Sequence, residues 1–244
     1  MNQDPVATPD EPALPGQTPR VLFFGRSGCE ASRSALAFIE QQGFGVDLVE
    51  SNGRGEKLPA WVKQWRGDYI LCFRSLFVLP QALIDNAHRA AINFHPGPVE
   101  YPGSGCVNFA LYDDAGQFGV TAHLMNAKVD NGAVLECRRF DIEASDTVLS
   151  LLEKTHAHLL ELLFDVVSGI GQQGETYIRA ALKSSRHEVW RGQARRIAEL
   201  DTLQNVSADV SADELARIIR ATHTPQFPTR LYLHGYRFDL KLPE

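Results

Sequence analysis

The sequence predicts an α/β fold, a Rossmann-like, doubly wound and mostly parallel sheet with an antiparallel edge. Short apolar runs alternate with segments of helical periodicity over the first half of the chain. Continuous apolar runs are typical of parallel strands buried on both faces. Later in the chain, two extended runs flank a short polar loop, which indicates antiparallel strands at one edge. In such sheets ligands bind at the carboxyl ends of the strands.

The first half of the chain predicts repeated strand–helix units. A strand at residues 21–24 leads into a Gly25-x-x-Gly28 turn and a helix that Gly43 closes. The turn could present backbone N–H groups to a phosphate, but a simple tight turn fits it equally well, because P-loop and dinucleotide patterns are absent. We further predict strands at 46–49, 69–73 and 90–94, with short helices at 59–65 and 81–87.

The second half predicts the antiparallel edge and a C-terminal extension. Extended runs at 120–125 and 133–137 flank an Asp-Asn-Gly turn, and Ser145 or Asp146 then caps a long helix ending at Gly169. A helix at 211–221 and a hairpin with strands at 230–233 and 236–240 follow an Arg-rich connector. We therefore divide the chain into a disordered Pro-rich tail (1–20), a core (21–182) and an extension of connector, helix and hairpin (183–244).

Composition narrows the classes of function. The net charge of −6 and the pI near 5.8 argue against a nucleic-acid partner, and Arg191, Arg195 and Arg196 fit a solvated helical face. The four cysteines are scattered without metal-ligand spacing, so we expect reduced thiols and no metal. No apolar stretch is long enough for a membrane helix and no signal peptide is evident, so we expect a cytoplasmic protein with no membrane partner.

Asn93, His95 and Asp130 are the candidate catalytic residues. Asn93 and His95 end an apolar strand and share one of its faces, because strand side chains alternate. A carboxylate from the later loop can hold the imidazole's tautomer and take up a proton. The alternative is that Asn93 and His95 are simply polar residues at a strand end before Pro96. The glycine-rich stretch from Gly97 to Gly105 and the downstream Asp-x-Gly loop argue against this alternative. Acyl-type transfer to an amine requires this set of groups.

These motifs resemble the core of the folate-dependent formyltransferase family. Asn93-x-His95-Pro96, Gly119-Val120-Thr121-x-His123 and Asp130-x-Gly132 follow the order and spacing of that core. Leu79-Pro80 sits where such enzymes line the pterin slot. The resemblance covers roughly residues 21–180 and includes features of the amino-sugar N-formyltransferase and glycinamide-ribonucleotide formyltransferase branches. It implies a Rossmann-like fold and 10-formyltetrahydrofolate as the formyl donor.

The resemblance also implies residue roles. Asn93 and His95 would donate to the formyl oxygen as it becomes an oxyanion, and Asp130 would orient His95 and relay the amine's proton. His123 matches a histidine of the glycinamide-ribonucleotide branch and is assigned an auxiliary role, with a purely structural role left open. The remaining assignments are donor-binding residues Phe77, Val78, Leu79, Ala127 and Val129, and acceptor-binding residues Arg26, Tyr101 and Gly103.

The acceptor is the open question. The family's usual loop after His-Pro contains an arginine, which the stretch from Gly97 to Gly103 lacks, so we expect the acceptor to be selected there. A short C-terminal extension favours a nucleotide-linked amino sugar over tRNA, whose enzymes carry a further barrel domain. Glycinamide ribonucleotide or a siderophore-type amine remains an alternative, as do a formyltetrahydrofolate hydrolase and a non-catalytic nucleotide-binding module. The hairpin is predicted to serve either homodimer formation or closure of the acceptor pocket.

Overall fold

The computed structural model describes residues 18–241, which form seven α-helices, one short 3₁₀ helix and nine strands. The strands are β1 (Arg20–Arg26), β2 (Gly45–Ser51), β3 (Gly67–Phe73), β4 (Ala87–His95), β5 (Gln117–Leu124), β6 (Val134–Asp141), β7 (Asn205–Val206), β8 (Arg230–Leu233) and β9 (Tyr236–Asp239). The helices are α1 (Glu30–Gln41), the 3₁₀ helix (Ala60–Gln64), α2 (Gln81–Ile84), α3 (Cys106–Tyr112), α4 (Val148–Gln173), α5 (Glu175–Ser184), α6 (Ile197–Leu203) and α7 (Ala212–Thr222).

A six-stranded sheet in the order β2-β1-β3-β4-β5-β6 forms the centre of the molecule. Strands β1 to β4 pair in parallel, whereas β5 runs antiparallel to both β4 and β6. The predicted fold class, a mostly parallel doubly wound sheet with an antiparallel edge, is therefore confirmed.

The two faces of this sheet are covered unequally. One face, which includes Phe23, Leu71 and Ile92, packs against α1 and the long α4. The opposite face, which includes Leu22, Ile70 and Ala91, is covered by the 3₁₀ helix and the single turn of α2. Burial on both faces explains why these strands are continuous apolar runs. The short cover on the second face leaves the carboxyl end of β4 open to a cavity.

The C-terminal elements pack on the core through α3 and α7. The Asn108 amide donates to the Ala221 carbonyl over 2.7 Å, and the Tyr112 hydroxyl donates to Glu214 over 2.6 Å. Beyond α7, β7, β8 and β9 form a second, three-stranded sheet. The hairpin turn is the predicted pair His234-Gly235, and both residues have the positive φ that a type I′ turn requires.

Several predicted boundaries were wrong. The helix predicted to end at Gly169 continues to Gln173, and its N-cap is Thr147, whose hydroxyl accepts from the Ser150 N–H. The helix predicted at 81–87 ends at Ile84, since Ala87 already belongs to β4. Helices α3, α5 and α6 were not predicted.

Most of the predicted tail (1–20) lies outside the described residues, and Arg20 belongs to β1. Within residues 18–241, no helix combines the length and apolar character needed to cross a membrane.

Candidate active site

The site begins at the end of β4, where Asn93 and His95 emerge on one face. They share that face with Ala91, which packs under the short helical cover. The antiparallel pairing with β5 sets Asn93 directly opposite His123. Consequently the amide and two imidazoles are brought together by strand register alone, and His95 and His123 are almost completely buried.

Asp130 reaches this cluster from the loop after β5. Its backbone has a φ of 44°, a left-handed conformation that aspartate tolerates better than most residues. Oδ2 lies 3.2 Å from His95 Nδ1, and Oδ1 lies 3.3 Å from His123 Nε2. One carboxylate therefore contacts both imidazoles, and the three predicted catalytic residues converge with His123.

The Asn93 amide nitrogen is held inside the cluster. Nδ2 lies 3.1 Å from His123 Nε2 and donates to Asp130 Oδ1 over 3.4 Å. His123 Nδ1 lies 2.8 Å from the Leu124 carbonyl, so its Nε2 faces both the Asn93 amide and the Asp130 carboxylate. To donate to a ligand in the cavity, the amide must give up the longer bond to Asp130.

His95 has an acceptor at each ring nitrogen. Nδ1 faces Asp130, and Nε2 lies 3.0 Å from the Tyr101 carbonyl. Burial lowers the pKa of His95 below its usual range, although Asp130 and the Tyr101 carbonyl act in the opposite direction. A neutral imidazole has one N–H and can satisfy only one of these acceptors, whereas an imidazolium satisfies both. His95 is therefore arranged to receive a proton transiently.

The carboxylate of Asp130 stays ionised despite its burial. Burial alone would raise its pKa, but His95, His123 and the Gly103 N–H together lower that pKa to about 2. The Gly103 N–H donates to Oδ2 over 2.8 Å. At neutral pH the cluster thus contains a fixed negative charge that can stabilise a cationic neighbour.

The loop from Gly97 to Gly105 is bonded to β5 at one end and to the cluster near the other. The Thr121 hydroxyl donates to the Gly97 carbonyl over 2.8 Å. A Cβ on Gly97 would lie 2.6 Å from His95 Nε2, so only glycine leaves the imidazole in place. At the other end, the Gly103 N–H binds Asp130. The segment that differs from the family pattern is therefore in direct contact with the candidate catalytic groups.

A cavity of about 410 Å³ opens beside these groups. Asn93, His95, His123 and Asp130 contribute to its wall, as do the predicted donor-binding residues Phe77, Val78, Leu79, Ala127 and Val129 and the predicted acceptor residues Arg26 and Gly103. Val78 is 70% exposed and Val129 is 49% exposed, which is unusual for valine and fits apolar walls available to a flat ring. Among the predicted residues, Tyr101 is not part of this wall, because its ring packs against Phe118.

The cavity wall also contains basic residues that sequence reasoning missed. Arg54, Arg74 and His156 line it together with Arg26. Arg74 directly follows β3, so the rule that ligands bind beyond the carboxyl ends of parallel strands could have identified it. Burial, Arg74 and Arg26 lower the pKa of His156 to about 4. This part of the wall is suited to an anionic group.

Two further features of the site bear on its chemistry. Cys106 lies near the cluster, its Sγ 3.2 Å from the Pro96 carbonyl, and burial raises the pKa of this thiol to about 12, so it is no nucleophile at neutral pH. Within the described range, no cluster of three or more histidine, cysteine or acidic residues is arranged to hold a metal ion.

Trp190 is a neighbour of both histidines that the sequence analysis missed. Its ring centroid lies 5.6 Å from that of His95 and 5.0 Å from that of His123. No local pattern could have identified it, because the contact joins residues far apart in sequence.

Comparison with known proteins shows the family to which this sequence is similar. A family model described as Formyl transferase matches residues 22–167. A methionyl-tRNA formyltransferase of Thermosynechococcus vestitus is 28% identical over 61% of this chain, and a GDP-perosamine N-formyltransferase of Brucella melitensis is 24% identical over 75% of it. The chain spans 45% of the first relative and 67% of the second.

Among solved structures, a sugar N-formyltransferase from Shewanella superposes with a TM-score of 0.70 at 19% identity, covering 91% of this chain and 96% of that one. At this identity the likeness concerns the fold, which extends over nearly the whole of both chains.

Proposed function

Because the chain belongs to the formyl transferase family, we propose that it transfers the formyl group of 10-formyltetrahydrofolate to the primary amine of a small acceptor, a nucleotide-linked amino sugar. The observation that carries this proposal is the meeting of the Asn93 amide, the His95 imidazole and the Asp130 carboxylate at the wall of one cavity. That set combines oxyanion donors with a proton acceptor, the requirement of acyl-type transfer to an amine.

The proposed chemistry gives each of the three groups a role. The amine nitrogen forms a bond to the formyl carbon, and the oxygen gains negative charge that Asn93 and His95 stabilise by donating to it. The Asp130 carboxylate stabilises the positive charge on the attacking nitrogen. With a pKa of about 2 it is a weak base, so the proton passes on to His95. The oxyanion then re-forms the carbonyl as the bond to N10 of the folate breaks, and N10 receives the proton that His95 had taken up.

The donor site of the proposal is the apolar part of the cavity. Phe77 and Leu79 extend the buried cluster on the face that bears Asn93, whereas Val78 and Val129 are exposed toward solvent. Apolar walls with a few convergent polar groups are typical of small-molecule sites. The pterin ring would lie between these walls, with its formyl group toward Asn93 and His95.

The choice of acceptor is supported by charge. Arg26, Arg54 and Arg74 line the same cavity, and guanidinium groups are suited to phosphate oxygens. A relative that is 24% identical carries the name GDP-perosamine N-formyltransferase, and its acceptor is a nucleotide-linked amino sugar. The net charge of −6 argues against tRNA.

One assay tests the proposal and its alternatives. The protein is incubated with 10-formyltetrahydrofolate, and tetrahydrofolate release is followed with nucleotide-linked amino sugars, with glycinamide ribonucleotide, with siderophore-type amines and without amine. We expect release with an amino-sugar nucleotide only. Release without amine would indicate a hydrolase, release with another amine would correct the acceptor, and no release under any condition would contradict the transferase assignment.

Two histidine variants on one strand make a matched control. His95→Ala removes the proposed donor and should abolish most of the release. His88→Ala changes an exposed histidine at the far end of β4 and should retain the parental rate. If His95→Ala also retains the parental rate, His95 takes no part in the reaction.

A further inference from the structure

Trp190 connects the two histidines to the loop that carries Asp130. The indole Nε1–H donates to the Gly132 carbonyl over 2.8 Å. Its ring meets those of His95 and His123 at interplanar angles of 73° and 82°, the edge-to-face geometry that aromatic pairs favour. Trp190 does not line the cavity, so it covers the imidazoles from another side.

The segment around Trp190 is fastened to the loop from Gly97 to Gly105. The Arg191 N–H donates to the Val99 carbonyl over 2.9 Å, and the Arg195 N–H donates to the Pro102 carbonyl over 3.0 Å. The Ser104 N–H donates in return to the Arg195 carbonyl over 2.9 Å. These main-chain bonds fix where the indole sits relative to both loops of the site.

We infer that Trp190 is a positioning residue, which holds the Asp130 loop through its N–H and keeps water from His95 and His123 with its ring. The effect on turnover rests on the proposed function, whereas the effect on the imidazoles follows from the contacts alone. Loss of the ring admits water to His95. Water stabilises the charged imidazolium and thereby raises the pKa of His95. Loss of the N–H frees the Gly132 carbonyl and lets the loop shift.

Only a few charged or polar groups face His95, so a change in its titration can be assigned to a cause. They are the Asp130 carboxylate, the His123 imidazole and the Tyr101 carbonyl. The Cys106 thiol on α3 is nearby but stays neutral, since burial raises its pKa to about 12. A change in the His95 titration after substitution of Trp190 therefore reports on solvent access and on the placement of Asp130.

Two variants separate the two roles. Trp190→Phe keeps an aromatic ring and removes the N–H bond to Gly132, whereas Trp190→Ala removes both. The readout is the NMR titration of the His95 ring protons, assigned by their loss in His95→Gln. We expect the Trp190→Ala midpoint to move up toward the ordinary value of about 6.5, and the Trp190→Phe midpoint to stay near that of the parent.

Turnover gives the second readout. A misplacement of about 1 Å can cost about 10²-fold in rate, so Trp190→Phe should lower kcat by up to that factor. Trp190→Ala should in addition raise the share of formyl groups released as formate rather than transferred to the amine. Trp61→Ala, a change at a half-exposed tryptophan in the 3₁₀ helix, is the matched control and should behave like the parent.

The outcomes keep the two proposals distinct. If the parent protein transfers no formyl group, the proposed function fails while the His95 titration still decides the role of Trp190. If Trp190→Ala does not fold, as monitored by circular dichroism, parental kcat in folded Trp190→Phe overturns the inference. Parental titration and parental kcat in both variants overturn it as well.

Discussion

The Gly103 N–H donates to the Asp130 carboxylate over 2.8 Å. This bond joins the loop that departs from the family pattern to the group that would relay the proton. Gly103 has a φ of 92°, and a Cβ there would lie 2.3 Å from the Arg195 backbone nitrogen. The position therefore requires glycine, and the conformation of the loop is coupled to the placement of the carboxylate.

The charge of Asp130 is the first testable feature. Asp130→Asn keeps the side-chain shape but removes the ionised group that contacts His95 and His123. General acid–base groups contribute about 10²–10⁴-fold to a rate, so we expect kcat to fall within that range. Steady-state kinetics measure it, with the exposed Asp85→Asn as control. A loss below tenfold would show that Asp130 takes no part in proton movement.

The backbone of the Asp130 loop has no room for a methyl group at Gly132. A Cβ on Gly132 would lie 1.7 Å from the Leu124 carbonyl oxygen. Gly132→Ala must therefore shift the loop, and overpacking of this kind costs about 1–3 kcal/mol of unfolding free energy. Denaturant unfolding measures the cost. Gly116→Ala, whose Cβ would meet nothing within 4 Å, should cost little, and equal stabilities would disprove the close contact.

The arginine side chains near His156 predict that the stability of the protein depends on pH. Burial, Arg74 and Arg26 lower the pKa of His156 to about 4. The unfolded chain therefore binds a proton at higher pH than the folded protein, and stability falls as the pH drops from about 6.5 to about 4. His156→Gln removes this term, so its melting temperature should fall less than the parent's between pH 7.5 and pH 4.5. If the melting temperature of His156→Gln falls as far as that of the parent, His156 is not buried among these charges.

Much of this molecule could be predicted from the sequence because its decisive signals are local. Continuous apolar runs identify strands buried on both faces, and the two-residue spacing of Asn93 and His95 puts both on one face. The motifs of the core identified the family, which the match over residues 22–167 confirms. His123 was predicted from its motif, and strand register explains its place opposite Asn93.

The missed features depend on contacts that no local pattern encodes. Gly169 was interpreted as a helix end, but it lies within α4, where its missing side chain lets Tyr177 of α5 approach; a Cβ would lie 2.3 Å from that ring. Helix α3 begins directly after Gly105, whose φ of 73° ends the glycine-rich loop, so its start was hidden by the loop pattern. Trp190 reaches the site only through the folded connector. The division of the chain at residue 183 stays a prediction.

Transfer of a labelled formyl carbon to the sugar would demonstrate the proposed reaction itself. The protein is given 10-formyltetrahydrofolate labelled with ¹³C in the formyl group together with the amino-sugar nucleotide that supports release, and the product is followed by NMR. We expect a formamide carbon on the sugar with the parent, and a rate lower by about 10²–10³-fold with Asn93→Ala, which lacks one oxyanion donor. An unlabelled sugar with the parent would exclude the proposed transfer, and a parental rate with Asn93→Ala would exclude Asn93 as an oxyanion donor.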